Sequence, residues 1–202
     1  MTNPFQPEIS VVMPAYNEES NVGAFIDELA EFLIDTHGIR TEIIVVNDNS
    51  RDGTEAEVLK RMERWPTVRL IRRKPPGGFG RALRTGLDFA RGEVVIVYMT
   101  DRSDHPEDAL LYYQKIREGY DCVFGSRFIP GAQVQRYPRG KLLVNRIVNK
   151  AIQWMFWTPF NDTTNAFKAY RREVIETCGP YKACHFNITL EMSLSSLIGG
   201  SA

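Results

Sequence analysis

The sequence predicts an α/β fold in which a mostly parallel central sheet is flanked by helices. Short apolar segments alternate with helix-like segments through the first two-thirds of the chain, which is the order that βαβ units produce. These apolar segments are nearly continuous, as in strands that are covered on both faces. The length of 202 residues and the 43% hydrophobic content suit one domain with a substantial core.

The first two βα units are marked by their residue types. The strand predicted at 9–14 is rich in β-branched residues and stops at a proline, and the helix predicted at 22–33 keeps its apolar residues on one stripe. The strand predicted at 43–46 ends in Asn-Asp-Asn-Ser, and a helix at 54–64 follows that turn.

Three more strands and two more helices are predicted before residue 125. The strands are expected at 68–71, 94–99 and 122–124. The helix at 80–90 follows a Pro-Pro-Gly-Gly loop, and the helix at 106–117 has a proline in its first turn.

The last third of the chain is predicted to be mainly helical. We expect a long helix at 141–157 and shorter helices at 171–178 and 188–198, with an extended stretch that reaches Tyr170. Because no repeat or linker interrupts the chain, we predict a single domain over 1–202. The sequence ends in Gly-Gly-Ser-Ala without a final strand, so we expect the C-terminal part of the fold to be truncated.

Composition and charge argue against several classes of protein. Lys and Arg total 25, and so do Asp and Glu, and this zero net charge is unlike that of a general nucleic-acid binder. The longest apolar run, 94–99, is far shorter than the ~20 residues of a membrane-spanning helix. Residues 1–7 do not resemble a signal peptide, and three cysteines without CxxC spacing argue against a disulfide framework. We therefore expect a cytoplasmic protein.

Polar, acidic or glycine-rich residues follow four of the predicted strands. The loops after parallel strands meet at one edge of the sheet, where ligands bind. Asp101 and Asp104 follow the fourth strand, and two carboxylates at this spacing can bind Mg²⁺ or Mn²⁺. In the alternative interpretation Asp104 caps the helix that begins at Pro106. Asp48, at the end of the second strand, can accept hydrogen bonds from a ribose or a base.

Residues 64–87 contain seven basic side chains and no acidic one, which suits a small polyanion. Peptide N–H groups around Gly80 and Arg81, at a helix start, can approach a phosphate. The segment is not a dinucleotide-binding fingerprint, because Leu83 replaces the third glycine, and no P-loop occurs in the chain. The alternative is a solvated basic face. No motif for a nucleophilic serine or cysteine is present.

Five motifs follow one another along the chain: Met-Pro-Ala-Tyr-Asn-Glu-Glu at 13–19, Val-Asn-Asp-Asn-Ser-Arg-Asp-Gly-Thr at 46–54, Gly-Phe-Gly-Arg-Ala-Leu-Arg-Thr-Gly-Leu at 78–87, Phe-Gly-Ser-Arg-Phe at 124–128, and Asn-Asp-Thr-Thr-Asn-Ala-Phe-Lys-Ala-Tyr-Arg at 161–171. Together they resemble the motifs of family 2 glycosyltransferases, which have the Rossmann-like GT-A fold. The nearest subgroup is that of the polyprenyl-phosphate sugar transferases, which includes dolichol-phosphate mannose synthase. The resemblance implies a nucleotide-sugar half at about 9–125 and an acceptor half at about 126–202.

The resemblance implies roles for individual residues. The nucleotide base and ribose would be held by Pro14, Ala15, Tyr16, Glu18 and Asp48. A metal at the motif after the fourth strand would bridge the diphosphate. Where the family usually has Asp-x-Asp, this chain has Thr-Asp-Arg-Ser-Asp, so Asp101 and Asp104 would share the metal in a shifted pattern. Arg102, inside this motif, could contact phosphate itself.

The resemblance further implies an inverting, metal-dependent transferase that moves a hexose from a GDP- or UDP-hexose to a polyprenyl phosphate, such as that of dolichol or undecaprenol. Arg127 and Arg139 would contact the acceptor phosphate, with surface ion pairs as the alternative. A hydroxyl acceptor, in polysaccharide or glycolipid synthesis, would need a carboxylate base, for which Asp162 is the candidate. A nucleotide-sugar binding module without turnover is a further alternative. The sugar, the nucleotide and the oligomeric state stay open.

Residues 141–160 bear on where the protein works. The segment combines basic residues with many apolar ones, among them Trp154 and Trp157. This composition is typical of a helix at a membrane interface, although a helix packed on the core is the commoner explanation. With a lipid-phosphate acceptor, we expect a peripheral protein at the cytoplasmic face of a membrane.

Overall fold

The computed structural model describes residues 5–100, 104–129 and 139–199, without the side chains of Arg139 and Lys141. Six strands form one sheet in the order β3-β2-β1-β4-β6-β5. Their bounds are β1 Ile9–Ala15, β2 Thr41–Asn47, β3 Val68–Arg72, β4 Val94–Val97, β5 Cys122–Phe124 and β6 Lys168–Arg171. The neighbouring pairs among β1 to β4 are parallel, and β6 runs antiparallel to both β4 and β5. The predicted mostly parallel sheet is therefore confirmed.

Helices cover both faces of this sheet. They are α1 Val22–Ala30, α2 Thr54–Arg64, α3 Phe79–Phe89, α4 Pro106–Arg117, α5 Arg139–Phe156, α6 Arg172–Cys178 and α7 Ile188–Ile198. In β1, Val11 and Met13 belong to the core beneath α1, α2 and α4, whereas Val12 belongs to the core beneath α3, α6 and α7. Because alternate residues of a strand face opposite sides, a strand buried on both faces must be continuously apolar, as the sequence indicates.

Two elements end two or three residues earlier than the sequence predicts. The predicted helix at 22–33 is α-helical only to Ala30, and a π-helical segment, Glu31–Thr36, continues it. β4 ends at Val97 rather than at residue 99, because Tyr98 and Met99 enter a loop that Asp104 closes.

The order of the strands decides where loops converge. The chain passes from β1 outward to β2 and β3 and then returns through α3 to β4, on the other side of β1. In such sheets the crevice between the two halves lies beyond the carboxyl ends of the strands at this reversal. The loops that follow β1, β2 and β4 therefore meet at one edge. Because β6 is antiparallel, the segment that precedes it reaches the same edge.

Candidate active site

The loops after β1 and β2 form one hydrogen-bonded unit. The peptide N–H of Asn17 donates to Ser50 Oγ at 3.0 Å, and that of Arg51 donates to Asn17 Oδ1 at 2.9 Å. The N–H of Glu18 donates to Thr54 Oγ1 at 2.8 Å. Asn17 has a φ of 55°, a left-handed conformation that asparagine tolerates better than most residues. These bonds between loops hold the predicted nucleotide site in a defined shape.

Four of the residues predicted to hold the nucleotide lie on or beside this unit. Pro14 and Ala15 are the buried last residues of β1. Tyr16 is 58% exposed, so its ring offers an apolar face to a base. Glu18 accepts a hydrogen bond from Asn21 Nδ2 at 3.0 Å, which orients its carboxylate. The assignment of these residues to the nucleotide stays a prediction.

Asp48 ties the end of β2 to the glycine-rich loop before α3. Its N–H donates to Ala15 O at 2.9 Å, and its carboxylate accepts the N–H of Gly78 at 2.6 Å and pairs with the guanidinium of Arg73. Only 6% of Asp48 is exposed. Two of the roughly four lone-pair positions of a carboxylate are used by these bonds. Asp48 thus both shapes the site and has acceptor capacity at its edge.

Residues 183–185, which belong to none of the five motifs, pack on the start of α3. A Cβ added to Gly80 would lie 2.5 Å from Ala183 O, and one added to Gly78, whose φ is +144°, would lie 2.5 Å from Cys184 O. The N–H of Arg81 donates to the same Cys184 oxygen at 3.3 Å, and its guanidinium donates to Gly77 O at 3.0 Å. The contact of Gly80 and Arg81 with phosphate stays a prediction, and it has to be compatible with this covering segment.

The loop after β4 is closed by Asp104. Its Oδ2 accepts the N–H of Met99 at 2.8 Å, and its carbonyl oxygen accepts the hydroxyl of Tyr98 at 2.8 Å. The residue at the N-cap position of α4 is His105, and no side chain caps that helix. Asp104 therefore organises the loop rather than capping α4. Asp101 and Arg102, the other predicted residues of this loop, lie outside the described residues.

Of the two aspartates predicted to bind a metal, Asp104 lies among the described residues. Within the ranges that the structure describes, no three His, Cys, Asp or Glu side chains are grouped as a metal site would require. Asp104 nevertheless places a buried carboxylate at the carboxyl end of β4, and carboxylate oxygens are the ligands that Mg²⁺ and Mn²⁺ prefer. The donor type fits the predicted ion, and the assignment of both aspartates stays a prediction.

An aromatic cluster supports the edge of the sheet between Asp104 and Asp162. The ring centroid of Phe167 lies 5.5 Å from that of Tyr98 and 4.6 Å from that of Tyr112. Burial raises the pKa of Tyr112, and the negative charges of Asp108, Asp104 and Asp162 raise it further. The hydroxyl of Tyr98 donates to Asp104 O and its ring packs on Phe167, so the cluster joins the loop after β4 to the segment before β6.

Arg127 and Asp162 form the most extensive polar contact at this edge. Asp162 Oδ2 accepts the N–H of Arg127 at 3.0 Å and its Nε at 2.7 Å, and Oδ1 accepts Nη2 at 2.7 Å. Oδ1 also accepts Thr164 Oγ1 at 3.2 Å and Asn149 Nδ2 at 3.3 Å. The Asp162 side chain has no exposed surface, whereas that of Arg127 is 19% exposed. Five donors therefore fill the acceptor capacity of this carboxylate.

Three residues of this region are missing from the sequence predictions. Asn149 and Thr164 complete the shell around Asp162. Lys168 is buried behind it, where Nζ donates to Thr163 O at 2.6 Å, to Thr189 O at 2.7 Å and to Ser193 Oγ. Burial lowers the pKa of Lys168 to about 7. Thr164 and Lys168 lie inside the motif at 161–171, but the sequence analysis gives neither residue a role. Arg139 is the first residue of α5, but its side chain lies outside the described part of the chain.

The outward surface of α5 is mostly apolar, with the exposed Arg146 and Lys150 among its apolar residues. The inner stripe of this helix consists of Leu142, Asn145, Asn149, Ile152 and Gln153. The outward residues, here called the apolar face of α5, include Leu143, Val144, Ile147, Val148, Trp154, Met155 and Phe156, with Trp157 just beyond the helix. Trp154 is 81% exposed and Trp157 is 91% exposed. Among the described residues, no helix has the length and apolar character needed to cross a bilayer.

Comparison with known proteins gives one consistent family. The model of the family described as "Glycosyl transferase family 2" matches residues 10–179. The chain is 30% identical over 176 residues to the dolichol-phosphate mannosyltransferase of Pyrococcus furiosus, covering 84% of this chain and 47% of that protein. It is 31% identical over 170 residues to the polyprenol monophosphomannose synthase of Mycolicibacterium smegmatis, covering 82% and 62%. The chain thus spans about half to three-fifths of the length of these relatives.

Solved structures share the fold at lower sequence identity. Glucosyl-3-phosphoglycerate synthase from Mycobacterium tuberculosis with phosphoglyceric acid superimposes with a TM-score of 0.73 at 20% identity, covering 96% of this chain and 66% of that one. The same enzyme in complex with Mn²⁺, UDP-glucose and phosphoglyceric acid gives a TM-score of 0.74 at 22% identity, covering 95% and 66%. This likeness confirms the predicted GT-A fold.

Proposed function

Because this chain belongs to glycosyl transferase family 2, we propose that it transfers a hexose from a nucleoside diphosphate sugar to a polyprenyl phosphate, with inversion at the anomeric carbon. The relatives named for dolichol-phosphate and polyprenol-phosphate mannose transfer support this acceptor class. The observation that carries the choice is the contact between Arg127 and Asp162.

This contact favours a phosphate acceptor over a hydroxyl acceptor. A hydroxyl nucleophile needs a base within hydrogen-bond reach of its proton. Asp162 is the predicted base, but its carboxylate is buried and accepts five hydrogen bonds from Arg127, Thr164 and Asn149. A phosphate acceptor arrives ionised and needs no such base. In this proposal Asp162 orients Arg127, and the guanidinium contacts the acceptor phosphate.

The donor would occupy the edge formed by the loops after β1 and β2. Tyr16 offers an exposed ring to the base, and Asp48 offers a carboxylate beside the ribose. Within the proposed division, the part at about 9–125 binds the nucleotide sugar, and the part at about 126–202 binds the acceptor. The donor is a GDP- or UDP-hexose, and the base that the site selects is an outcome of the test below.

A divalent cation, Mg²⁺ or Mn²⁺, would be held by Asp101 and Asp104 at the end of β4. When bound, such an ion stabilises the negative charge of a departing nucleoside diphosphate. Asp104 is buried and accepts the N–H of Met99, so its carboxylate has a defined position at this end of the strand. Arg102 and Arg139 are proposed to add positive charge near the phosphates.

The apolar face of α5 would bring the acceptor half to a membrane surface. Exposed tryptophans beside the exposed Arg146 and Lys150 are typical of helices that lie in the headgroup region. A polyprenyl phosphate keeps its phosphate at that level, because its chain is buried in the bilayer. The proposed location is therefore peripheral, at the cytoplasmic side.

The test begins with nucleotide binding. Melting curves are recorded with GDP, UDP, CDP and ADP, with and without Mn²⁺, for the wild type, for Asp101→Ala and for the exposed control Asp35→Ala. A ligand at 100-fold excess over its Kd adds ~2.7 kcal/mol of stability, which is roughly 5–10 °C in Tm for a domain of this size. We expect one nucleotide to give a Mn²⁺-dependent shift that Asp101→Ala removes and Asp35→Ala retains.

The second arm measures transfer from the matching hexose nucleotide to a short-chain polyprenyl phosphate and to the corresponding alcohol. Product with the phosphate alone supports the proposal. Product with the alcohol alone would favour the hydroxyl-acceptor reaction. Nucleotide binding without any product would favour a binding module, and no nucleotide shift at all would contradict the donor site.

A further inference from the structure

We propose that Asn149 is a positioning residue that couples α5 to the pair of Arg127 and Asp162, so that docking of the apolar face of α5 on a bilayer fixes the guanidinium for an acceptor phosphate. This inference rests on the function proposed above and names a regulation of the same site. It depends on how Asn149 is placed between a surface and a buried ion pair.

Asn149 lies on the inner stripe of α5, opposite the apolar face. It is only 1% exposed, whereas Ile147 and Val148, which precede it directly, are 61% and 43% exposed. The helix therefore presents apolar side chains to the outside and a buried amide to the domain. The inner stripe thus combines this amide with apolar residues such as Ile152, whereas large apolar side chains such as Trp154 face outward.

The amide of Asn149 has a fixed orientation. Its Oδ1 accepts the peptide N–H of Thr163 at 2.9 Å and the hydroxyl of Thr163 at 3.1 Å. Its Nδ2 donates one hydrogen to Asn145 O at 2.9 Å and shares the other between Thr164 Oγ1 at 2.9 Å and Asp162 Oδ1 at 3.3 Å. Because a peptide N–H can only donate and a carbonyl can only accept, the two ends of this amide are not interchangeable.

Two hydrogen bonds lead from α5 to the guanidinium of Arg127. Asn149 Nδ2 donates to Thr164 Oγ1, and this hydroxyl also accepts Arg127 Nη2 at 3.0 Å and donates to Asp162 Oδ1 at 3.2 Å. A threonine hydroxyl has one donor and two acceptor positions, and all three are used here. Thr164 is therefore saturated, and it transmits a displacement of α5 directly to Arg127 and Asp162.

Because most of the network is buried and polar, breaking one of its hydrogen bonds costs free energy, and this cost couples α5 to Arg127. If α5 shifts while Arg127 stays in place, the buried amide of Asn149 and the half-buried hydroxyl of Thr164 lose hydrogen-bond partners, which is costly. The position of α5 and the orientation of Arg127 thus change together. A bilayer that binds the apolar face of α5 favours one position of the helix, and it thereby favours one orientation of the guanidinium.

The test uses the full chain and separates coupling from stability. Transfer to a short-chain, water-soluble polyprenyl phosphate is measured with and without acceptor-free vesicles of phosphatidylcholine and phosphatidylglycerol. We expect these vesicles to raise kcat/KM of the wild type severalfold and to have no effect on Asn149→Ala. The matched control, Gln153→Ala, removes an amide from the same stripe without touching residues 162–164 and is expected to keep the stimulation.

Two further measurements make the test decisive. Nucleoside diphosphate binding and co-sedimentation with the same vesicles should be unchanged in Asn149→Ala, because neither the donor site nor the apolar face of α5 is altered. If Asn149→Ala does not fold, the isosteric Thr164→Val takes its place, with Thr164→Ser as the control that keeps the hydroxyl.

The outcomes separate this inference from the proposed function. If the wild type transfers hexose to the phosphate and Asn149→Ala is stimulated like Gln153→Ala, the coupling is wrong and the proposed function stands. If the wild type transfers nothing to a phosphate acceptor, both are wrong. Loss of stimulation in Asn149→Ala and Thr164→Val, with Gln153→Ala and Thr164→Ser unaffected, supports the coupling.

Discussion

The side chains of Arg127 and Asp162 meet through two hydrogen bonds of 2.7 Å, one to each carboxylate oxygen. They come from the turn after β5 and from the segment before β6, and the antiparallel pairing of these two strands brings them together. The carboxylate is buried, whereas the guanidinium reaches the surface of the site. One partner therefore anchors the contact, and the other presents positive charge.

Removal of the anchoring charge should affect both stability and transfer. In Asp162→Asn the shape is retained, but Arg127 becomes a largely buried cation without its counter-charge, which typically costs ~3–5 kcal/mol in unfolding free energy. We also expect a large rise in KM for the acceptor phosphate and little change in nucleotide affinity. Urea melts and steady-state kinetics measure these effects.

The matched control breaks an exposed ion pair instead. Glu176→Gln removes the carboxylate that pairs with Arg172 on α6, where the two side chains are 60% and 42% exposed, respectively. Exposed pairs contribute about 0–1 kcal/mol, so stability and acceptor KM should hardly change. An Asp162→Asn variant that behaves like this control would contradict the proposed role of the buried carboxylate.

Asp48 should be required for donor binding through the shape of the glycine-rich loop. Asp48→Asn weakens the pairing with Arg73 and replaces one acceptor oxygen with a donor, which disfavours the contact with the N–H of Gly78. We expect the Kd of the nucleoside diphosphate to rise at least tenfold, which corresponds to about 1.4 kcal/mol. Titration calorimetry measures this change, with the exposed Asp35→Asn as the control. If the two variants bind the nucleoside diphosphate with equal Kd, Asp48 does not contribute to donor binding.

The sheet is predictable from the sequence because its central strands are buried on both faces. Val11, Val12 and Met13 have to be apolar in succession, and that requirement leaves a pattern that can be read without a structure. β6 is different, since two of its four residues, Lys168 and Arg171 at its ends, are basic. The burial of Lys168 depends on oxygen acceptors from other parts of the chain, so the sequence indicates an extended stretch here but neither its burial nor its antiparallel direction.

The part of the candidate site that the sequence predicts consists mainly of charged residues beside the ends of strands. Asp48, Asp104 and Arg127 stand at such positions, and the sequence indicates all three. Asn149 and the segment at 183–185 contribute through neutral amide and carbonyl groups, which have no distinctive spacing. Their partners lie 13 or more residues away along the chain and become neighbours only in the folded structure.

Lys168 should make the folded state more stable as the pH rises above neutrality. Its pKa is lowered by burial from 10.5 to about 7, so between these values the unfolded chain binds a proton that the folded chain does not. Stability therefore increases with pH over this window. In Lys168→Met this pH-dependent contribution is absent.

Urea melts from about pH 6 to about pH 10 should show the wild type gaining stability relative to Lys168→Met. The exposed control, Lys182→Met, should run parallel to the wild type, and a constant difference between wild type and Lys168→Met would contradict the shifted pKa.

The two exposed tryptophans at the end of α5 should bind membranes without contributing to the fold. Trp154→Ser and Trp157→Asn together remove two large apolar surfaces, and asparagine suits the left-handed φ of 50° at position 157. Since full burial of an apolar side chain contributes ~1.5–3 kcal/mol, the pair should weaken binding to anionic vesicles at least tenfold. Surface substitutions usually change stability by less than about 0.5 kcal/mol, so the Tm should stay constant. Co-sedimentation with vesicles measures binding, and Tyr120→Ser, which removes a half-exposed aromatic ring next to α4, is the control. If the double variant and this control bind equally well, the apolar face of α5 does not contact the bilayer.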